Sequence, residues 1–399
     1  TLIVLRLANL LITSYLCTLY QKILRLLPPK MYIQHYNIVT PLGFDLPTTA
    51  NLLLRERSAI ARYPMYGHLT DVCLSKIGDG AIESRFQQVV ERNDFSRLEK
   101  LLLLAIAPIF HKIKITPRTA LILSSTKGNI SALADGDSAP LLSTLAQKMA
   151  NAIGVTTTPI VVSNACVSGA MVLSVADRLL KADAYDNAIV LAGDEISEFV
   201  LSGFQSFQAM SAQPCRPYDA QRDGITLGEA TAVAYVTREA TGAKAQLLGS
   251  SSINDANHIS GPSRTGEGLY LSVLNALDEA KLRPEQIDLI NAHGTGTLYN
   301  DEMESTAFMR AGLLSPPLNS YKGYFGHTLG TSGLLETVLT IEFARHKILL
   351  KSLNYETLGV SQPINVLKQT QHTEVKHLLK TASGFGGSNT ALAIKVIND

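Results

Sequence analysis

The sequence predicts an α/β fold with buried strands, built from a duplicated unit. Short β-branched and aliphatic runs alternate with longer helical patterns, and no low-complexity linker separates them. Two short segments also repeat late in each half: GEATAVAYV from Gly228 and GSNTALAIKV from Gly387. In each half, moreover, a strand ending in small residues feeds a helix that starts with small residues, NACVSGA in the first and GHTLGTSGLLE in the second.

The elements follow in order. Strands are predicted at Ala120–Ser124, Thr158–Ser163, Ala188–Ala192, Ala232–Val236, Ile287–Asn291 and Ala391–Val396. Helices are predicted at Phe86–Phe110, Leu141–Ile153, Ser168–Lys181, Leu269–Lys281 and Ser332–His346. The polar stretch Glu239–Lys244 marks the join, giving an N-terminal half over residues 31–240 and a C-terminal half over 241–399. Residues 1–30 form an apolar run broken by Arg6 and Asn9 and closed by Pro28 and Pro29. They read as an extension outside the native enzyme, translated from upstream of Met31. A membrane anchor is the competing reading, and a signal peptide fits less well because no A-x-A-like cleavage site follows.

The chain has 399 residues, 46% of them hydrophobic and 17% charged, enough for one large core or two fused ones. A formal net charge of +1 gives no global field, which argues against nucleic acid as a partner. The cysteines Cys17, Cys73, Cys166 and Cys215 lie far apart without CxxC spacing. This argues against a disulfide framework or a zinc site, with no metal expected, and fits a reducing cytoplasm.

Cys166 lies between a strand and a helix that opens on Ser168, Gly169 and Ala170. A thiol there is expected to feel the positive end of the helix dipole, which lowers its pKa and favours the thiolate nucleophile. A buried structural cysteine is the equal alternative on position alone. His293, in NAHGTGT, follows a buried strand, with Gly294 and Gly296 freeing the backbone and Thr295 and Thr297 offering hydroxyls to an amide-bearing substrate. His327 lies among Gly326, Gly330 and Gly333, with Lys322 before it and Glu336 after. These opposite charges either orient a buried imidazole or form an ordinary surface pair. The GFGG loop around Phe385 lacks the lysine and spacing of a P-loop and suits an oxyanion donor or gate. One cysteine, two histidines and a glycine loop together suit acyl transfer through a thioester, with the imidazoles donating to an enolate formed by decarboxylation.

At these residues the chain resembles the β-ketoacyl-acyl-carrier-protein synthases, in the elongating Cys-His-His branch of the thiolase superfamily. The resemblance rests on HGT-x-T at His293–Thr297, on K-x-x-x-GH-x-x-G-x-x-G from Lys322 to Gly333 and on GFGG-x-N at Gly384–Asn389. Arg216–Ala230 and Ser252–Pro262 resemble two further family segments, and the whole covers Met31–Asp399. It implies a thiolase-like fold of two βαβαβαββ halves in a five-layer αβαβα sandwich, normally dimeric. It implies that Cys166 takes the acyl chain while His293 and His327 drive malonyl decarboxylation, with no cofactor. The N–H groups of Cys166 and Phe385 would form the oxyanion hole, Thr295 and Thr297 would hold the phosphopantetheine arm, and Lys322 and Glu336 would support the histidines. The implied partners are an acyl carrier protein and a second ketosynthase chain, identical or related.

Two departures stand out. Leu298–Asp301 replaces Pro-x-Gly-Asp, and Thr381–Ser383 replaces Asn-Ser-Phe. They point to a specialised polyketide-like or aryl-polyene pathway rather than housekeeping fatty-acid elongation. The alternatives are one subunit of a ketosynthase/chain-length-factor heterodimer, or a coenzyme A-dependent thiolase-like acyltransferase. The second would need another cysteine near the C-terminal loop, and none follows Cys215.

Overall fold

A computed structural model describes residues 30–90, 94–135, 141–255 and 261–398. Cys17, the 1–29 part of the N-terminal run and residues 256–260 of the Ser252–Pro262 motif lie outside them.

The sheet strands are β1 Met31–Val39, β2 Thr119–Ser124, β3 Ile160–Val162, β4 Asn187–Asp194, β5 Ala230–Thr237, β6 Ala245–Asn254, β7 Leu289–Asn291, β8 Leu318–Asn319, β9 His377–Gly384 and β10 Ser388–Val396. They form one ten-stranded sheet in the order β8-β7-β9-β10-β6-β1-β5-β4-β2-β3. Read outward from its centre, each half has the same plan. In the N-terminal half β1 pairs antiparallel with β5, β5 antiparallel with β4, and β4, β2 and β3 run parallel. In the C-terminal half β6, β10, β9, β7 and β8 repeat those neighbours and directions. The two repeated segments noted in the sequence are β5 and β10, so the duplication extends to the whole topology. Antiparallel pairs from Met31↔Leu247 to Ile33↔Ala245 join the halves.

The helices used below are α1 Arg97–Phe110, α2 Leu142–Ile153, α3 Ser168–Lys181, α4 Glu198–Ser206, α5 Glu267–Ala280, α6 Leu298–Arg310 and α7 Ser332–Arg345. Strand alternation assigns them to layers. Ala188, Val190 and Ala192 of β4 point into a core shared with α3, α7 and the C-terminal strands. Ile189 and Leu191 point the other way, to α1 and α2. In the other half Ile290 and Leu379 face α5 and α6. The result is helix, half-sheet, paired helices, half-sheet, helix: the five-layer thiolase-like sandwich that the resemblance implies.

The central layer explains the small residues. A Cβ on Gly333 would lie 2.1 Å from the Ala170 nitrogen, so α3 and α7 cross at backbone contact. That contact brings the starts of both helices, and therefore Cys166 and His327, into one place. Burial also explains why α7 carries almost no polar face: most of its residues are buried.

The predicted helix Phe86–Phe110 is not continuous. A first helix ends at Phe86, and α1 begins after Ser96. The Ser96 hydroxyl accepts the Glu99 N–H while the Glu99 carboxylate accepts the Ser96 N–H at 2.7 Å. This capping box opens a new helix inside a stretch whose apolar spacing reads as unbroken. Among the described residues no helix is long and apolar enough to cross a membrane.

Candidate active site

Each functional side chain sits where a strand of the sheet ends. After β3, Ala165 takes a left-handed φ of 43°, turning the chain sharply so that Cys166 stands at the start of α3. The Ser168 hydroxyl holds the turn, accepting the Asn164 N–H at 2.7 Å and donating to the Ala165 carbonyl at 2.6 Å. His293 follows β7 in the loop before α6. His327 lies between β8 and α7, the position in the second half that matches Cys166 in the first.

The three side chains open on one cavity of about 450 Å³, together with Thr295, Thr297 and Phe385. The imidazole rings of His293 and His327 lie 5.1 Å apart, edge to face. His293 Nδ1 and His327 Nε2 are buried without hydrogen-bond partners. Polar atoms left unpaired in a well-packed interior signal a ligand position. The Phe385 N–H hydrogen-bonds the Cys166 thiol, and Gly384 packs against the Cys166 nitrogen so closely that a Cβ would lie 3.0 Å from it. The Phe385 N–H is thereby set beside the sulfur. The ring of Phe385 lies between Phe204 and Phe207, at centroid distances of 5.4 and 5.2 Å, and all three line the cavity.

Electrostatics correct one expectation. The Cys166 thiol is not lowered by the helix start: burial pushes it up to about 11, against the opposing pull of the Lys322 charge and the Phe385 N–H. Removing the sulfur from water costs the anion more than the Lys322 charge and the Phe385 N–H return. Both histidines are held well below their ordinary value, first by burial and then by Lys322, with Lys380 also contributing. The resting site is therefore a thiol with two neutral imidazoles. For His327 the structure orients the ring as well. Ser332 Oγ lies 2.9 Å from Nδ1, accepts the Thr328 N–H at 3.0 Å and is 3.0 Å from Thr328 Oγ1. This contact holds the ring by Nδ1 and leaves Nε2 as the nitrogen without a protein partner.

Lys322 and Glu336 form a fully buried pair at 2.8 Å, not a surface bridge. Lys322 also donates to the His293 carbonyl at 2.6 Å, tying the ion pair to the histidine loop. Thr295 and Thr297 hydrogen-bond each other at 2.8 Å on the cavity wall.

Sequence reasoning missed the supports. Lys380 of β9 is fully buried and pairs with the second Glu336 oxygen at 2.6 Å. Its signal was a lone lysine in the otherwise apolar and small run HLLKTASG. Glu304 accepts the N–H groups of His293 and Gly294, at 2.9 and 2.7 Å, and the Tyr218 hydroxyl at 2.8 Å. Asp301 accepts from Thr295 at 2.9 Å and from Tyr218 N–H at 2.7 Å. Both face inward from the first two turns of α6 and fix the histidine loop by its backbone. Gly294 needs its left-handed φ of 45° there, because a Cβ would meet the Ser320 side chain at 2.7 Å.

A duplicated five-layer sandwich, with a cysteine and two histidines meeting between its halves, is the architecture of a thiolase-like chain. The model for "Beta-ketoacyl synthase, N-terminal domain" matches residues 36–242 and the one for its C-terminal domain matches 244–356, so the chain belongs to the β-ketoacyl synthase family. Among curated relatives, 3-oxoacyl-[acyl-carrier-protein] synthase 2 of Rhizobium meliloti is 33% identical, over 59% of this chain and 60% of its own length. The tetracenomycin polyketide synthase ketoacyl synthase alpha subunit of Streptomyces glaucescens is 30% identical, over 59% of each chain. The chain thus spans about three fifths of the curated relatives it matches. A solved structure of the ketosynthase (ApeO) in complex with its chain length factor (ApeC) from Xenorhabdus doucetiae is similar, with a TM-score of 0.78 and 25% identity, over 92% of this chain and 98% of the other. The ishigamide ketosynthase/chain length factor shares the fold at a TM-score of 0.82.

Proposed function

We propose that this protein is a β-ketoacyl-acyl-carrier-protein synthase that joins a Cys166-bound acyl group to a malonyl thioester. The observation that carries the reading is the convergence of Cys166, His293 and His327 on one cavity, beside the Phe385 N–H. Cys166 attacks an acyl thioester, its thiol proton leaves with the carrier thiolate, and the N–H groups of Cys166 and Phe385 hold the oxyanion. A malonyl thioester then takes the acyl donor's place, with Thr295 and Thr297 on its phosphopantetheine arm and its carbonyl oxygen facing the two imidazoles. The C–CO₂ bond breaks, CO₂ leaves, and the electron pair forms an enolate whose oxygen accepts hydrogen bonds from the neutral rings. The enolate carbon attacks the acyl-Cys carbonyl, the C–S bond breaks, and the released thiolate takes up a proton. Lys322 and Glu336 support the histidines, and no metal or redox cofactor enters these steps.

The partners in this reading are an acyl carrier protein and a second ketosynthase chain. The likeness to ketosynthase/chain length factor complexes supports a heterodimer in which this chain, having Cys166, is the active half. Leu298 and Tyr299, exposed at the cavity mouth in place of Pro-x-Gly, support a specialised polyketide-like or aryl-polyene primer. Four well-separated cysteines support a cytoplasmic setting. The domain reading follows the same division, with the nucleophile in residues 31–240 and both histidines in 241–399. The test is mass spectrometry of the protein with acyl-carrier and malonyl-carrier substrates. Wild type should gain the acyl mass and yield the 3-oxoacyl product, and Cys166→Ala should do neither. Full condensation by Cys166→Ala would end the reading.

A further inference from the structure

Lys380 has no part in the steps above, yet it is buried beside them. Its ammonium touches Glu336 Oε2 at 2.6 Å and the Thr381 carbonyl at 2.8 Å, and Thr381 in turn donates to Glu304 at 3.3 Å. Taking two ammonium groups out of water around one carboxylate is costly, and the cost is offset only by attraction to further negative charge nearby. The charged groups behind the imidazoles supply it. Glu336 enters from α7, Glu304 and Asp301 from α6, Lys322 from the short helix Lys322–Phe325 and Lys380 from β9. Asp301 has Arg222 at 3.9 Å. On the other side, Asp194 at the end of β4 is pushed up to about 6 by burial, against hydrogen bonds from Thr126 and Ser125. Lys322 alone would leave Glu336 and Glu304 with one cation between them. A net negative cluster would draw protons onto His293 and His327, and an imidazolium cannot remain the neutral donor that an enolate-forming step uses.

We propose that Lys380 is a positioning residue of this site: it balances Glu336 and Glu304 and so keeps His293 and His327 uncharged, aimed at the substrate carbonyl. The inference deepens the condensing-enzyme reading and rests on it for its purpose. Its physical content is the protonation state of two rings, which is measurable without substrate. The direction of both histidine shifts agrees, since Lys380 is among the groups that lower each.

The experiment is a histidine NMR titration of the unliganded protein, assigned through His293 and His327 variants, run beside the pH profile of malonyl-carrier decarboxylation. Lys380→Met removes the charge and the hydrogen bonds. Lys380→Gln keeps a donor for Glu336 and Thr381 but no charge. Both should raise the two histidine titrations, and the acid limb of decarboxylation, by about one pH unit. The double variant Lys380→Met/Glu336→Gln restores the charge balance and should return both titrations to wild type. Should Lys380→Met fail to fold, Lys380→Gln against wild type decides the same question. A Lys380→Gln protein that titrates like wild type would overturn the proposal, because hydrogen bonding alone would then suffice. So would a double variant that titrates no closer to wild type than the single one. A wild type that releases no CO₂ would overturn the condensing-enzyme reading instead, leaving the NMR titration to judge Lys380 by itself.

Discussion

The two halves repeat one sheet plan, strand for strand, but put different chemistry at matching strand ends. After β3 the N-terminal half places a thiol, lifted to about 11 by burial. After β8, the equivalent strand, the C-terminal half places His327, and after β7 it places His293. Behind these lies a buried charge cluster of Lys322, Lys380, Glu336 and Glu304. The fold thus supplies equivalent positions between the half-sheets, and the residue at each position decides its task. A bound nucleophile needs a sharp turn and backbone donors. A pair of neutral proton donors needs fixed rings and balanced charge.

The largest expected effects separate the halves. Cys166→Ala should abolish acylation of the protein while malonyl-carrier decarboxylation continues. His327→Ala should do the reverse, keeping acylation and lowering decarboxylation by about 10²- to 10⁴-fold, followed as CO₂ release. Equal loss of both half-reactions in each variant would erase the division of labour. Lys322→Met attacks the C-terminal cluster by its structure. It leaves the His293 carbonyl with only the longer Ser320 hydroxyl contact at 3.4 Å and Glu336 with one lysine, and should lower the unfolding free energy by about 3–5 kcal/mol in urea titration.

Gly333→Ala tests the contact that brings the halves' sites together. Its methyl group would overlap the Ala170 backbone, and a loss of about 1–3 kcal/mol with reduced overall condensation is expected. Ser332→Ala removes one hydrogen bond to the His327 ring, about 1 kcal/mol, and should slow decarboxylation about fivefold without touching acylation. Finally, pH should act through the histidines. Because the folded state holds both below their unfolded value of 6.5, their contribution is present above that pH and is lost as pH falls below it. A urea midpoint that fails to drop between pH 7 and pH 5 would contradict this.

Much of the site was legible because its chemistry is local in sequence. Cys166, His293, His327 and Phe385 each sit in a short run of small residues, a pattern that already reads as a strand end or tight loop. The supports were not legible in the same way. Lys380, Glu304 and Ser332 belong to ordinary-looking strand or helix segments, and their meaning comes from partners far along the chain. The helix break before Arg97 escaped for a related reason: apolar spacing carries across it, and only the Ser96–Glu99 cap marks the new start.

The sequence alone therefore determined the α/β class, the duplication and the side chains that meet at the cavity, since these depend on periodicity and on residues within a few positions of each other. Tertiary structure decided the rest. It closed α3 on α7 at backbone contact and joined the half-sheets through β1 and β6. It also raised the thiol that helix-end reasoning alone would lower, and gathered two lysines on one carboxylate. Burial and long-range charge are properties of the assembled interior, and the same residues in an open chain would have neither.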